Sequence, residues 1–60
     1  MAKSLSREIL MYRARHDISQ AEMARRCNLT KQTIYAIENE RQSPGKLTEM
    51  KIRLVLEQED

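Results

Sequence analysis

Ser19-Gln20-Ala21-Glu22-Met23-Ala24-Arg25-Arg26-Cys27-Asn28-Leu29-Thr30-Lys31-Gln32-Thr33-Ile34-Tyr35-Ala36-Ile37-Glu38-Asn39 holds two short helical patterns with one break between them. Met23, Ala24 and Cys27 mark the buried stripe of a helix over about Gln20 to Cys27, and Ile34 and Ile37 mark that of another over about Lys31 to Asn39. Ser19 stands where an N-cap belongs, and Glu22 three residues on completes a capping box. Asn28 follows the last apolar residue of the first pattern. Asparagine tolerates the left-handed backbone that stops a helix abruptly. Leu29 is apolar inside this turn, placed to plug the angle between the helices, and Thr30 caps the second. Two short helices cross steeply only where the first offers a small residue at the contact and the turn reverses the chain without strain. Ala24 and Asn28 meet those two demands.

The flanks continue the helical pattern. A first helix begins after Ser4 or Ser6, either of which can cap, and runs to about His16, with Leu5, Ile9, Tyr12 and His16 on one side. Asp17-Ile18-Ser19 breaks it, and Ile18 is placed to pack inward. After a polar connector, Glu40-Arg41-Gln42-Ser43, the pair Ser43-Pro44 reads as a cap followed by proline at the first helical position. A last helix runs from about Lys46 or Leu47 to Glu57. Leu47, Met50 and Leu54 line one side of it and are expected to face the core, while Ile52, Val55 and Leu56 widen the stripe beyond a single face. No alternating run is long enough for a strand, and the one Gly and one Pro are adjacent. The fold class is all-α, a bundle of helices joined by short turns.

Sixty residues make one domain at most. A chain of this size buries only about 60% of the surface it exposes when unfolded. With no Trp or Phe and two Tyr, the core must come from aliphatic, Met and Ala side chains. There is no room for an enclosed active site, and no nucleophile–base pair stands out, so the chain is expected not to be an enzyme. One Cys (Cys27) and one His (His16) give neither an internal disulfide nor a zinc cage. No metal, cofactor or small-molecule substrate is expected. Cys27 is expected in the core rather than as a redox sensor. Met1-Ala2-Lys3-Ser4 leads into no apolar run of signal-peptide length, and nothing approaches a membrane span, so a reducing cytoplasm is the expected setting. The initial Met favours a whole protein over an excised domain.

The net charge is +2, unevenly placed. Residues 1–46 carry nine Lys/Arg against five Asp/Glu, and residues 47–60 carry two against four. A positive front suits a polyanionic partner. The acidic end, Glu57 to Asp60, reads as frayed solvent-facing chain.

Ser19-Gln20-Ala21-Glu22-Met23-Ala24 and Leu29-Thr30-Lys31-Gln32-Thr33-Ile34-Tyr35-Ala36-Ile37-Glu38-Asn39 together resemble the Cro/C1-type (XRE) helix-turn-helix family of phage repressors and their bacterial relatives. The resemblance covers roughly residues 9–56. It implies a lambda-repressor-like DNA-binding domain of four or five helices over residues 1–60, with the helix-turn-helix at about 20–39 and the third helix entering the major groove of double-stranded DNA. Arg13 and Glu38 match a family pair that ties the first helix to the end of the recognition helix. Asn28 stands where the family usually has glycine. Many members continue into a fifth helix that supports dimer contacts, whereas this sequence ends at Asp60.

With Ile34 and Ile37 turned inward, Lys31, Gln32, Tyr35, Ala36 and Asn39 occupy the outer side of the third helix, and Thr33 joins them as a DNA-contact candidate. A glutamine amide such as that of Gln32 both donates to and accepts from the N6/N7 edge of adenine. Lys31 reaches a guanine edge or a phosphate. Ala36 permits close approach and a thymine-methyl contact. Tyr35 either meets phosphate or packs along its own helix. Gln20, and Ser19 where its capping duty allows, sit at the positive end of the second helix and suit phosphate. Asn39 and Arg41 match positions at which the family contacts the DNA backbone, which fixes register without reading sequence.

These residues point to a sequence-specific regulator, most simply a repressor that occupies an operator as a homodimer, with some of Ile52, Val55 and Leu56 pairing with a second copy. A two-fold dimer reads two half-sites about one DNA turn apart. Two alternatives remain open: an antitoxin that represses its own operon and holds a toxin on its last helix, and a module that keeps the fold but binds only protein.

Overall fold

A computed structural model describes residues 4–58. The chain forms four helices, α1 (Leu5–His16), α2 (Gln20–Cys27), α3 (Lys31–Glu38) and α4 (Lys46–Glu57), and no strand among the described residues. Glu59 and Asp60 of the acidic end lie outside them. No helix among the described residues is long and apolar enough to cross a membrane.

The helix boundaries follow from backbone chemistry at each end. Ser19 caps α2 by accepting the Glu22 N–H at 3.1 Å, and Thr30 caps α3 by accepting the Thr33 N–H at 3.1 Å. Only half of the expected capping box forms, because the Glu22 carboxylate is drawn instead to Arg25 (2.8 Å) and Arg26 (3.1 Å) one turn on. These guanidinium groups, Arg25 foremost, hold the Glu22 carboxyl below its ordinary range. The start of α1 is different again. Ser4 is its N-cap residue but makes no side-chain cap bond. Its hydroxyl lies 2.6 Å from that of Ser6, which is buried and donates to Glu40 at 3.0 Å.

Among the described residues three non-glycine ones take positive φ: Asp17 (55°), Asn28 (60°) and Glu40 (56°), one after each of the first three helices. At Asn28 the reversal is closed by Asn28 N–H to the Arg25 carbonyl and Leu29 N–H to that of Ala24 at 2.8 Å. Leu29 then packs against the core at the corner. Asn28→Ala is expected to cost about 1 kcal/mol by forcing a Cβ without a polar side chain into this conformation, while Asn28→Gly is close to neutral. Urea denaturation of the two variants checks the ranking, and equal midpoints would show that the turn carries no strain.

The core consists of Ile9 and Tyr12 from α1, Met23, Ala24 and Cys27 from α2, Ile34 and Ile37 from α3, and Ile52 and Val55 from α4. Leu5, Ile18, Leu29 and Leu56 pack against its edge. Ala24, the small residue of α2, is buried in this core at 3% exposure. Tyr12 stacks on His16 with ring centroids 4.2 Å apart, and its hydroxyl accepts a hydrogen bond from Arg26 at 3.1 Å. Cys27 is 2% exposed, and burial pushes its thiol up to about 11, so at neutral pH it is a protonated core side chain.

α4 corrects two expectations. Its N-cap is Gly45, not Ser43, so Pro44 precedes the helix instead of opening it. Its inner face is also the reverse of the expected one. Ile52 (0% exposed) and Val55 (7%) are buried and Leu56 is half-buried, whereas Leu47 (67%), Met50 (59%) and Leu54 (59%) face outward. Ile52 and Val55 are therefore not free to pair with a second copy, since they close the core over α2 and α1, and Leu56 packs against the edge of that core. The physical reason lies in the neighbouring charges: Lys46, Glu49, Arg53 and Glu57 stand beside Met50 and Leu54 and keep that side of the helix in water, while β-branched Ile52 and Val55, which have few rotamers to lose, take the inner side.

Candidate nucleic-acid interface

α3 is held by its inner face and its C-terminal end. Ile34 and Ile37 are 0% and 2% exposed, which fixes the rotation of the helix about its axis. Lys31, Gln32 and Tyr35 consequently point to solvent, with Thr33 and Ala36 half-buried beside them. The Thr33 hydroxyl lies 2.8 Å from that of Thr30, so it belongs to the cap at the start of the helix. Tyr35 is 47% exposed and stands over the outer face.

The end of α3 is anchored by a network around Glu38, whose side chain keeps 4% of its exposure. Arg13 of α1 donates to both carboxylate oxygens, at 3.0 and 2.9 Å, and its Nε donates to the Ile18 carbonyl at 3.1 Å. The Gln20 amide, at the start of α2, donates to Glu38 Oε1 at 2.8 Å. One carboxylate thus joins α1, α2 and α3. The Arg13–Glu38 pair is the one that the family resemblance implied, and Gln20 is a third member that the sequence did not reveal. A glutamine at a helix start gives no sign of a partner 18 positions on.

Beyond Glu38 the chain turns through Glu40, with Glu40 N–H on the Ile37 carbonyl (3.0 Å) and Arg41 N–H on that of Ala36 (2.8 Å). This sharp reversal leaves Asn39 and Arg41 exposed next to the outer face of α3. The Asn39 amide folds back to donate to the Tyr35 carbonyl at 2.8 Å. Ser19 is exposed and Gln20 half-buried at the N-terminal end of α2. No ion pair among the described residues includes Lys31 or Arg41, whereas Arg13, Arg25, Arg26 and Arg53 are all paired. The basic charge left without an ion pair among the described residues thus includes the start of α3 and the turn behind it.

A family model described as Helix-turn-helix matches residues 9–54, most of the chain. The chain belongs to the Cro/C1-type helix-turn-helix family. It is a DNA-binding helix-turn-helix regulator, and the family is a regulatory one rather than a family of enzymes. No curated protein and no solved structure matches the chain. The family assignment and the geometry meet at α3, the helix whose outer face is polar and whose inner face is locked.

Proposed function

We propose that this regulator represses transcription by occupying an operator, with α3 in the major groove. Gln32 and Lys31 meet base edges, Ala36 and Thr33 line the close approach, and Tyr35, Asn39 and Arg41 meet phosphates. Ser19 and Gln20 add the positive end of α2. Gln20 keeps one amide hydrogen on Glu38 and offers its second to a phosphate oxygen. The observation that carries this reading is the outer face of α3, where exposed Lys31 and Gln32 stand on a helix whose rotation is fixed by buried Ile34 and Ile37. Repression by this route follows from occupancy alone. The setting is the cytoplasm of a bacterium, or of a bacterium carrying a phage, with the bound protein on the nucleoid. The operator is pseudo-palindromic and the bound form a homodimer.

Selection of duplexes from a random pool at moderate salt, followed by sequencing, tests this. The expected result is an enriched palindrome whose affinity falls steeply as salt rises, because each neutralised phosphate releases counterions. A pool with nothing enriched even at low salt overturns the reading and transfers the fold to a protein partner.

A further inference from the structure

α4 carries an apolar stripe that the described residues leave uncovered. Leu47, Met50 and Leu54 are each more than half exposed and recur at helical spacing on one side. Beside it on the same open face of α4 lies a row of four charged residues, Lys46, Glu49, Arg53 and Glu57, next to Met50 and Leu54. The order of those four charges along the helix is plus, minus, plus, minus. When two copies of a helix pack antiparallel about a two-fold axis across their axes, each edge of the stripe faces the same edge of its twin, read backwards. A row of this order then meets its own complement: Lys46 opposite Glu57 of the second copy, and Glu49 opposite Arg53. The apolar residues register about nearly the same midpoint, with Leu47 across from Leu54 and Met50 close to the axis.

We propose that the outer face of α4 is the surface on which this chain pairs with a second copy of itself, antiparallel, with Met50 at the centre and the Lys46–Glu57 pairs at the rim. The proposal rests on the homodimer named above and gives it a face and a register. The charge pattern favours a twin over an unlike partner, since a mixed row is complementary to its own reverse and to few other sequences. Lys46 and Glu57 also oppose the dipole of their own helix, a cation at its positive end and an anion at its negative end. Their placement therefore does not serve the isolated helix. Within one copy Arg53 already holds Glu49 at 3.0 Å and reaches Glu8 at 3.4 Å, so the charges that a second copy would newly pair are Lys46 and Glu57, which stand in no ion pair among the described residues.

Sedimentation equilibrium of the full chain, free and on selected duplex, reads self-association directly. The wild type is expected to dimerise with rising concentration, and Met50→Glu to weaken this by roughly a hundredfold, because a carboxylate would face its twin in a desolvated centre. Lys46→Glu is expected to weaken it about fivefold, and Lys46→Glu combined with Glu57→Lys to restore it. Lys46→Glu places an anion at the positive end of α4, which favours the helix, so its loss of association cannot be mistaken for a damaged fold, and circular dichroism confirms folding of each variant. A wild type that remains monomeric free and on DNA overturns the proposal and leaves the stripe to a different protein. Dimerisation unaffected by Met50→Glu overturns it in favour of another face. Half-site binding by monomeric Met50→Glu at low salt separates the two claims: it survives if α3 reads DNA and is absent if the DNA reading itself is wrong.

Discussion

Arg13→Met is expected to remove about 3–5 kcal/mol of stability, and to leave much of the chain unfolded at room temperature. The total for sixty residues is only of the order of 3–9 kcal/mol, so a single loss of that size is decisive. The magnitude follows from which partner is left behind. Glu38 keeps 4% of its side-chain exposure against 24% for Arg13, so deleting the arginine strands a carboxylate away from water with only the Gln20 amide on it. Glu38→Gln is milder, about 1–2 kcal/mol, because the guanidinium is a quarter exposed and retains the Ile18 carbonyl at 3.1 Å. Arg13→Met with Glu38→Leu is expected to lie nearer the wild type than Arg13→Met alone, since no buried charge is then unpaired. Thermal unfolding checks the series, at roughly 4–8 °C per kcal/mol for a domain of this size. If Arg13→Met and Glu38→Gln both melt within a degree or two of the wild type, the network does not hold α3, and the rotation of that helix rests on Ile34 and Ile37 alone.

The contrast between α2–α3 and α4 shows what a sequence of this kind discloses. In α2 and α3 each apolar residue has one possible inner face, so Met23, Ala24, Cys27, Ile34 and Ile37 could be assigned from spacing, and the caps Ser19 and Thr30 followed from their chemistry. In α4 six apolar residues cover most of the circumference, and spacing alone does not choose between two faces. The choice is made by the charged row beside Met50 and Leu54, which keeps that side in water and leaves Ile52 and Val55 inside. That row was a usable signal, because a face flanked on one side by four charged residues is poorly suited to a core. Glu40 was illegible for another reason. Glutamate is a poor choice for positive φ, and it holds 56° there while its carboxylate accepts a hydrogen bond from Ser6, 34 positions away. A contact of that separation overrides local preference and leaves no local trace. The α3 surface was the most readable part of the candidate site, since once Ile34 and Ile37 are inside, Lys31, Gln32 and Tyr35 have no other place to be.

Gln32→Ala and Lys31→Ala are expected to weaken operator binding in different ways, and the difference is the sharpest test of the α3 reading. A bidentate amide–adenine contact discriminates by about 1–3 kcal/mol, so Gln32→Ala should lose roughly five- to 150-fold on the selected operator. It should lose far less on an operator changed at the base pair Gln32 reads, and its preference at that position should flatten. Lys31 adds a charge at the start of α3 that no carboxylate of the chain neutralises among the described residues. If that charge goes to phosphate, Lys31→Ala lowers affinity about equally for all sequences, and the slope of log affinity against log salt falls by about one per lysine. If it goes to a guanine edge, the slope changes less and one further position of the operator loses its preference. Titrations of both variants against the selected operator and its single-base changes, at three or four salt concentrations, resolve these outcomes. Both residues lie on the exposed side of a helix whose inner face is intact in either variant, so folding is expected to be preserved and the changes to report on DNA alone. Should Gln32→Ala bind the operator as tightly as the wild type with unchanged preference at every position, α3 does not present this side to the bases, and the reading helix must be sought elsewhere.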